Sequence, residues 1–382
     1  MKILLVGEFS RLHNSLKEGL LAHGHQVTLI NNGDEFKNYP SDISISPIFF
    51  KSKFGNIIRQ IYYRIFNVDL ATLEQGFRFW LNLSKLKEYD VVQLINERPI
   101  QTTEILEHFL LKKIIKQNKK IVLLCSGVDY FTLTHMLAKK ERYSIMNPYF
   151  EKITAAKKQY NYMFKYATKG HKKIHDYLVK NCFGIIATDL DYVNPLKEEP
   201  KFLGMIPNPV NVKKLNFIEN SVQNQICIFL GINTGNSFTK GVHYFEKALK
   251  IINQKYKERV KIVITKDIPY NQYIKIFNKA HIVLDQVYSY DQGYNALEAM
   301  AKGKVVFTGA ETEFLKYYKI NEDEVAINAL PNVDYLVSKL SFLIDNPNEI
   351  IRISKNARSF IEKEHDYKFI AEKYLAFWKK KG

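Results

Sequence analysis

The sequence predicts an α/β protein of two doubly wound, Rossmann-like domains that face each other across a cleft. Three observations predict it. Short apolar, β-branched runs alternate with helical patterns along nearly the whole chain. The alternation stops once, at Met205–Lys214, where two prolines and two asparagines mark a turn or linker, and then restarts. The 382 residues suit two domains at ~100–200 residues each.

In the first half, Lys2–Val6 reads as a strand, Leu12–Ala22 as a helix and Gln26–Ile30 as a strand. Asp90–Ile95, a helix over Thr103–Lys116, Lys120–Cys125 and Gly184–Thr188 continue the pattern. In the second half strands are expected at Gln225–Leu230, Arg259–Thr265, His281–Gln286 and Lys304–Phe307. Helices are expected at Gly241–Asn253, Asn271–Lys279, Gly293–Ala301, Val333–Ile344, Asn348–Lys363 and Tyr367–Lys380. Continuously apolar strands between helices predict parallel sheets covered on both faces. The expected domains are residues 1–207, residues 208–365, and a last helix, 366–382, that crosses back to the first domain. In such sheets ligands bind beyond the carboxyl ends of the strands, so the cleft is the expected site.

Composition excludes several classes. With 46% apolar and 25% charged residues the chain is neither disordered nor a membrane-spanning bundle. Its longest apolar runs are strand-sized, far short of the ~18 residues of a spanning helix. The start, MKILLVGEFS, lacks the h-region and cleavage site of a signal peptide, so the expected compartment is the cytoplasm. Cys125, Cys182 and Cys227 are widely spaced beside apolar runs and read as buried thiols.

The formal charge of +17 suits an anionic partner. Between Lys139 and Lys180 eleven Lys/Arg stand against three acids, with Tyr143, Tyr149, Phe150, Tyr160, Tyr162, Phe164 and Tyr166 interleaved. Together with Phe49–Phe66 (FFKSKFGNIIRQIYYRIF) this resembles a face lying on an anionic bilayer. The plain alternative is a solvated helical face. No helix-turn-helix, zinc or RNA-binding signature accompanies the charge, so nucleic acid is not the expected partner.

Four loops are candidates for chemistry. Gly7–Ser15 follows the first strand and enters a helix, whose free N–H groups favour an anion. Its spacing is not G-x-G-x-x-G, which weighs against a nicotinamide enzyme. Ser10 and Asn14 are candidate acceptor contacts or plain helix caps; His13 is a candidate base or a satisfied interior histidine. Cys125–Tyr130 follows a strand, with Ser126 a candidate acceptor contact and Asp129 a candidate base, or a cap in an Asx-type turn. Leu230–Gly241 has small residues and Lys240-Gly241 before a helix: Gly231, Asn233 and Lys240 suit a phosphate group, although the Walker spacing is absent. The fourth runs from Asp285 through Gly293, Tyr294, Asn295 and Glu298 to Lys302-Gly303-Lys304. A helix N-terminus there can hold a diphosphate, and a carboxylate one turn on can accept from a ribose diol.

The last loop resembles the C-terminal signature of retaining GT-B glycosyltransferases, the group 1, family 4-like enzymes that build bacterial surface polysaccharides. That signature has the form E-G-F-G-x-x-x-x-E-A-M-A-x-G-x-P-V. Gly293 and Glu298-Ala299-Met300-Ala301-Lys302-Gly303 match its second half, with Val305 in place of proline. Ile206-Pro207-Asn208-Pro209-Val210-Asn211 resembles the P-N-G-V-D entry to the second domain, and Thr239-Lys240-Gly241 the Lys-Gly of the diphosphate pocket. The motif's first Glu falls at Tyr290, leaving Asp291 or Asp285 as candidate substitutes at the donor sugar, and the Arg before the Lys is absent. Asp189-Leu190-Asp191 matches the Asp-x-Asp metal grip of the other main glycosyltransferase fold; three residues are a weak match, and no essential cation is expected.

The resemblance implies transfer of a sugar from a nucleotide diphosphate sugar to a glycan or lipid-linked glycan hydroxyl, without a further cofactor. It places Lys240, Gly231, Asn233, Asp291, Gly293, Tyr294 and Asn295 at the donor, Glu298 at its ribose, and the Ser10–Asn14 and Ser126–Asp129 loops at the acceptor. It implies retention; an inverting enzyme would need a base such as Asp129 or His13. An epimerase on the same fold, or a basic polyanion-binding protein without enzymatic activity, are the alternatives. Peripheral attachment to the inner face of the plasma membrane is the further expectation.

Overall fold

The computed structural model describes residues 1–34, 37–221 and 225–380. The first sheet has seven parallel strands: β1 Lys2–Val6, β2 Gln26–Asn31, β3 Ile43–Ser44, β4 Val91–Leu94, β5 Lys120–Cys125, β6 Gly184–Ala187 and β7 Phe202–Met205. Their order is β3-β2-β1-β4-β5-β6-β7, so the direction of winding reverses between β1 and β4. The second sheet has five: β8 Ile226–Ile232, β9 Val260–Lys266, β10 Ile282–Leu284, β11 Val305–Thr308 and β12 Ile327–Asn328. Its order is β12-β11-β10-β8-β9, with the reversal between β8 and β10. The loops after β1 and β4, and those after β8 and β10, thus border the two crevices where such sheets take ligands.

The central strands form because they are apolar on both faces. β1, β4, β5 and β6 are almost wholly buried between helices, as are β10 and β11. The edge strands β3, β7 and β12 lie outside the expected set. They are two to four residues long, and β7 carries Gly204 at φ +118° beside a register shift in its partner.

The domains meet along Ile206–Asn211. Val210 donates its N–H to the His365 carbonyl at 2.7 Å and accepts from Tyr367 N at 3.2 Å. Beyond it the Tyr367–Lys379 helix lies on the Leu12–Ala22 helix, where Ile370, Ala371, Tyr374 and Trp378 share a core with Leu12, Leu16 and Leu20.

The structure separates the two basic aromatic stretches. Lys53–Phe66 is a helix with Gly55 as its one buried residue. Lys139–Lys180 is not the aromatic surface that its sequence resembles. Tyr143 and Tyr160 are buried, Phe150, Phe164, Tyr166 and Tyr177 are half-buried, and only Tyr149 and Tyr162 are exposed. Their burial comes from packing against the second domain and against one another.

Candidate active site

In the second domain the β8 and β10 loops converge on one carboxylate. Asp285 follows β10 and its side chain is buried. Its Oδ1 accepts from Lys240 Nζ at 2.7 Å and from Asn295 Nδ2 at 2.9 Å, and its Oδ2 from Thr308 Oγ1 at 3.3 Å. Gly241 gives the turn its shape: it sits at φ +66°, and a Cβ there would come within 2.2 Å of Val287. Gly293 is the cap of the Tyr294–Ala301 helix, and no side chain among the described residues caps that helix N-terminus with a hydrogen bond. An ammonium and the free N–H groups of a helix thus lie at the winding reversal, a combination suited to a diphosphate.

Glu298 lies one turn into that helix. Its carboxylate makes no hydrogen bond to any described residue. Burial pushes its carboxyl above the usual range, while Arg11, Lys302 and Lys37 pull it back. Arg11 and Lys37 belong to the first domain, so cations of the first domain act on this carboxylate.

Other expected donor residues are placed differently. Gly231 lies within β8, where a Cβ would meet the Tyr273 ring at 2.6 Å; its small size serves packing. Asn233 is exposed and closes a turn on Gly235 N at 2.8 Å. Tyr294 does not turn to the donor side. Its hydroxyl accepts from Ser15 Oγ at 2.6 Å and donates to the Pro209 carbonyl, tying helix, linker and first domain together. Asp291 does not stand in for the missing glutamate: its Oδ2 accepts from Leu190 N at 3.1 Å and its Oδ1 from Gln292 N. Tyr290 itself stacks on Tyr143, with ring centroids 5.0 Å apart.

In the first domain the expected base candidates are engaged in holding loops. His13 is fully buried; its Nδ1–H donates to the Gly7 carbonyl at 2.7 Å, and Nε2 faces the Gln93 amide at 3.2 Å. Burial lowers its pKa to about 3, so it is a neutral interior histidine rather than a base. Asp129 caps the Tyr130–Leu137 helix: Oδ1 accepts from Thr132 N at 2.8 Å, and Oδ2 from Cys125 Sγ at 2.7 Å. Burial and the nearby Glu97 raise it to about 6. Asn14 does not face an acceptor; its Nδ2 donates to Glu8 Oε2 at 2.6 Å and to the Pro40 carbonyl at 3.1 Å.

Glu8 itself accepts from His13 N and Asn14 N, so the chain's own carboxyl occupies the helix N-terminus expected to take an anion. Ser10 remains at the surface, its Oγ accepting from Lys37 Nζ at 2.9 Å. Ser126 is buried, its carbonyl held by Asn96 Nδ2 at 2.8 Å.

Glu97, just beyond β4, is the centre of a buried cluster. It accepts from His171 Nε2 and His175 Nδ1, both at 2.6 Å, and from Tyr130 N at 3.0 Å. These bonds overcome its burial and hold its carboxyl at about 2. The pairing was hidden in the sequence because 74 and 78 residues separate the partners.

A cleft of about 790 Å³ opens between the domains. Phe9, Arg98, Gly127, Thr132, Lys165 and Tyr166 line the first-domain wall; Gln286, Ser289, Tyr290 and Gly293 line the other. The Asp-x-Asp pair lies at the seam: Asp189 caps the Leu190–Tyr192 turn, and Asp191 accepts from Tyr290 N at 2.7 Å and from Ser289 Oγ.

Residues 238–376 match the family model described as "Glycosyl transferase-like". No curated protein matches the sequence. Solved structures match over the whole length. A sucrose-phosphate synthase of Thermosynechococcus elongatus is 13% identical with a TM-score of 0.61, covering 99% of this chain and 98% of that one. HepE of Anabaena, solved with UDP and glucose, is 12% identical with a TM-score of 0.58, covering 98% of both chains. WaaG, a glycosyltransferase involved in lipopolysaccharide biosynthesis, is 13% identical with a TM-score of 0.59, covering 100% of both. The chain thus has the GT-B fold, and residues 238–376 carry a glycosyl transferase-like domain.

Proposed function

We propose that the protein transfers a sugar from a nucleotide diphosphate sugar to a glycan or lipid-linked glycan hydroxyl, with retention, in surface polysaccharide or lipopolysaccharide synthesis at the inner face of the plasma membrane. The observation that carries the reading is the convergence of Lys240 and Asn295 on Asp285 at the uncapped N-terminus of the Tyr294–Ala301 helix, whose cap Gly293 lines the cleft, with the Glu298 carboxylate a turn away. When the bond from sugar to diphosphate breaks, negative charge grows on the leaving oxygen. An ammonium and fixed N–H donors stabilise that charge more in the transition state than in the ground state. Glu298 is suited to accept from the ribose hydroxyls, and the first-domain wall to hold the acceptor.

Retention is favoured by the engagement of His13 and Asp129, which leaves neither free as the base that inversion needs. In a retaining reaction the leaving phosphate itself assists removal of the acceptor proton. HepE's complex with UDP and glucose, and WaaG's place in lipopolysaccharide biosynthesis, support the donor class and the pathway. Membrane attachment is supported by the apolar stripe of the Lys53–Phe66 helix, which no described element covers.

The test is binding of UDP, GDP, ADP and dTDP by calorimetry, followed by turnover of the matching nucleotide sugars. Lys240→Gln is the informative variant: it removes the charge yet keeps a donor for the buried Asp285. A hydrogen bond to a charged group contributes ~1.5–3 kcal/mol, so a ten- to hundredfold loss of donor affinity is expected. Wild-type affinity in this variant overturns the diphosphate assignment. Conversion of donor to an isomeric nucleotide sugar without acceptor identifies an epimerase instead.

A further inference from the structure

The chain between the Tyr130–Leu137 and Lys169–Asn181 helices crosses the cleft and grips the second domain at two places. At the first, Tyr143 enters the second domain's core, its hydroxyl donating to Glu311 Oε1 at 2.5 Å. Arg142 beside it pairs with Glu313 at 2.8 Å and Glu311 at 3.1 Å, its guanidinium 4.8 Å from the Tyr290 ring centre. At the second, an aromatic crosses the other way. Phe238, from the loop after β8, packs on a small core of Leu133, Met146, Ala156, Tyr160 and Met163.

Gln159 lies at this second grip. Its Nε2 donates to the Thr234 carbonyl and to Ser237 Oγ at 3.0 Å, and its Oε1 accepts from Phe238 N at 3.0 Å. One side chain thus holds both ends of a five-residue stretch of loop. The loop passes the constraint on: Lys240 N donates to the Asn236 carbonyl at 3.1 Å, and Gly241 N to that of Phe238 at 2.9 Å. Asp267 holds the far side, accepting from Thr234 N at 2.9 Å and Thr234 Oγ1 at 2.7 Å. Among the described residues, Gln159 provides the only hydrogen bonds from a first-domain side chain to this loop.

We propose that Gln159 is a positioning residue for the donor: through the Thr234–Phe238 loop it sets Lys240, so the donor pocket is complete only when the first domain is seated on the second. The proposal rests on the reading of Lys240 as a diphosphate contact. It makes donor affinity, a property of the second domain, depend on a residue of the first.

The experiment uses the full chain and compares Gln159→Ala with Lys240→Gln. Expected for Gln159→Ala is a roughly tenfold rise in donor KM and in the Kd of the best-binding nucleoside diphosphate, from the loss of its three hydrogen bonds to the loop. The acceptor KM should stay at the wild-type value, and kcat should change far less than donor KM. A loss of kcat with donor KM unchanged would make Gln159 merely structural and overturn the proposal. Wild-type donor affinity in Gln159→Ala beside weakened affinity in Lys240→Gln also overturns it, while the diphosphate reading stands. Wild-type affinity in both removes that reading and the proposal with it. If Gln159→Ala does not fold, Gln159→Glu keeps the acceptor for Phe238 N and loses the bond to Thr234; the same selective rise in donor KM is expected.

Discussion

Glu298 shows how much a single side chain's surroundings decide. Its carboxylate is half-buried and has no hydrogen bond among the described residues, with Arg11, Lys37 and Lys302 in range. A group so placed suits the proposed role of accepting from a ribose diol. Glu298→Gln keeps its shape and removes its charge. Nucleotide affinity should fall about tenfold, because a charged acceptor is exchanged for a neutral one. Thermal stability should barely change, since an amide is easier to bury than a carboxylate. The sign of the pH effect follows from the raised carboxyl. Protonation removes the acceptor, so wild-type affinity should decline on the acid side at a pH above the ordinary carboxylate value, and the Gln variant should lack that decline. Calorimetry from pH 5 to pH 8 checks both statements. Equal affinity in the two proteins at pH 8 assigns Glu298 to packing.

Elements were legible in the sequence where a physical pattern was local. Continuous apolar runs such as Ile121–Cys125 have no stable place except inside a sheet, and Lys240 and Asn295 stood out because each opens a helix after a strand. The partnership of both with Asp285, the filling of a helix N-terminus by Glu8, and the pairing of Glu97 with two histidines were not legible, since only the fold brings those residues together. The same limit misread Lys139–Lys180, whose aromatics look like a surface until the fold seats Tyr143 in the second domain's core and packs the others on one another. Lys53–Phe66 stays uncovered. Phe54, Ile57, Ile58, Ile61 and Ile65 recur at helical spacing and are all exposed, and Phe77, Trp80 and Leu81 of the next helix extend the patch. Thr72 of that next helix lines the cleft. The protein should therefore sediment with anionic vesicles, be released by high salt, and bind neutral vesicles weakly. Burying one such side chain contributes ~1.5–3 kcal/mol and one surface Lys about 1 kcal/mol. Ile61→Glu with Ile65→Glu should abolish attachment and spare donor hydrolysis; reversing Lys157 and Lys158 should do less. Vesicle binding unchanged in the double isoleucine variant would remove the helix from the interface.

For the whole molecule, the notable feature is how many acids fold into places without water. Burial raises Glu8, Glu107 and Asp191 to about 7 and Asp129 and Asp291 to about 6. Asp189, Glu298 and Asp323 shift the same way. Near pH 6 the folded chain therefore holds protons that the unfolded chain has released. That contribution to stability is full below the ordinary carboxylate range and is lost as pH rises through 6–7. Two buried histidines oppose it. His13 at about 3 and His365 at about 4 stay neutral when folded, so their contribution is present above 6.5 and is lost as pH falls. His25, His108, His243 and His281 shift in the same direction. Glu97, held at about 2 by its histidines, adds stability that is lost only below about 4.5. Between pH 5 and pH 7 the acids, more strongly buried than most of those histidines, set the sign; below about pH 4.5 only the losses remain. Thermal unfolding should therefore show its highest midpoint near pH 5–5.5, with a lower one at pH 8. Unfolding by guanidinium in weak buffer at pH 6 should release protons, which a pH electrode reads directly. Net uptake at pH 6, or a higher midpoint at pH 8 than at pH 5.5, would mean that these carboxyls are ionised in the folded protein and that the seam between the domains, where Asp189, Asp191 and Asp291 meet, is held together against their mutual repulsion.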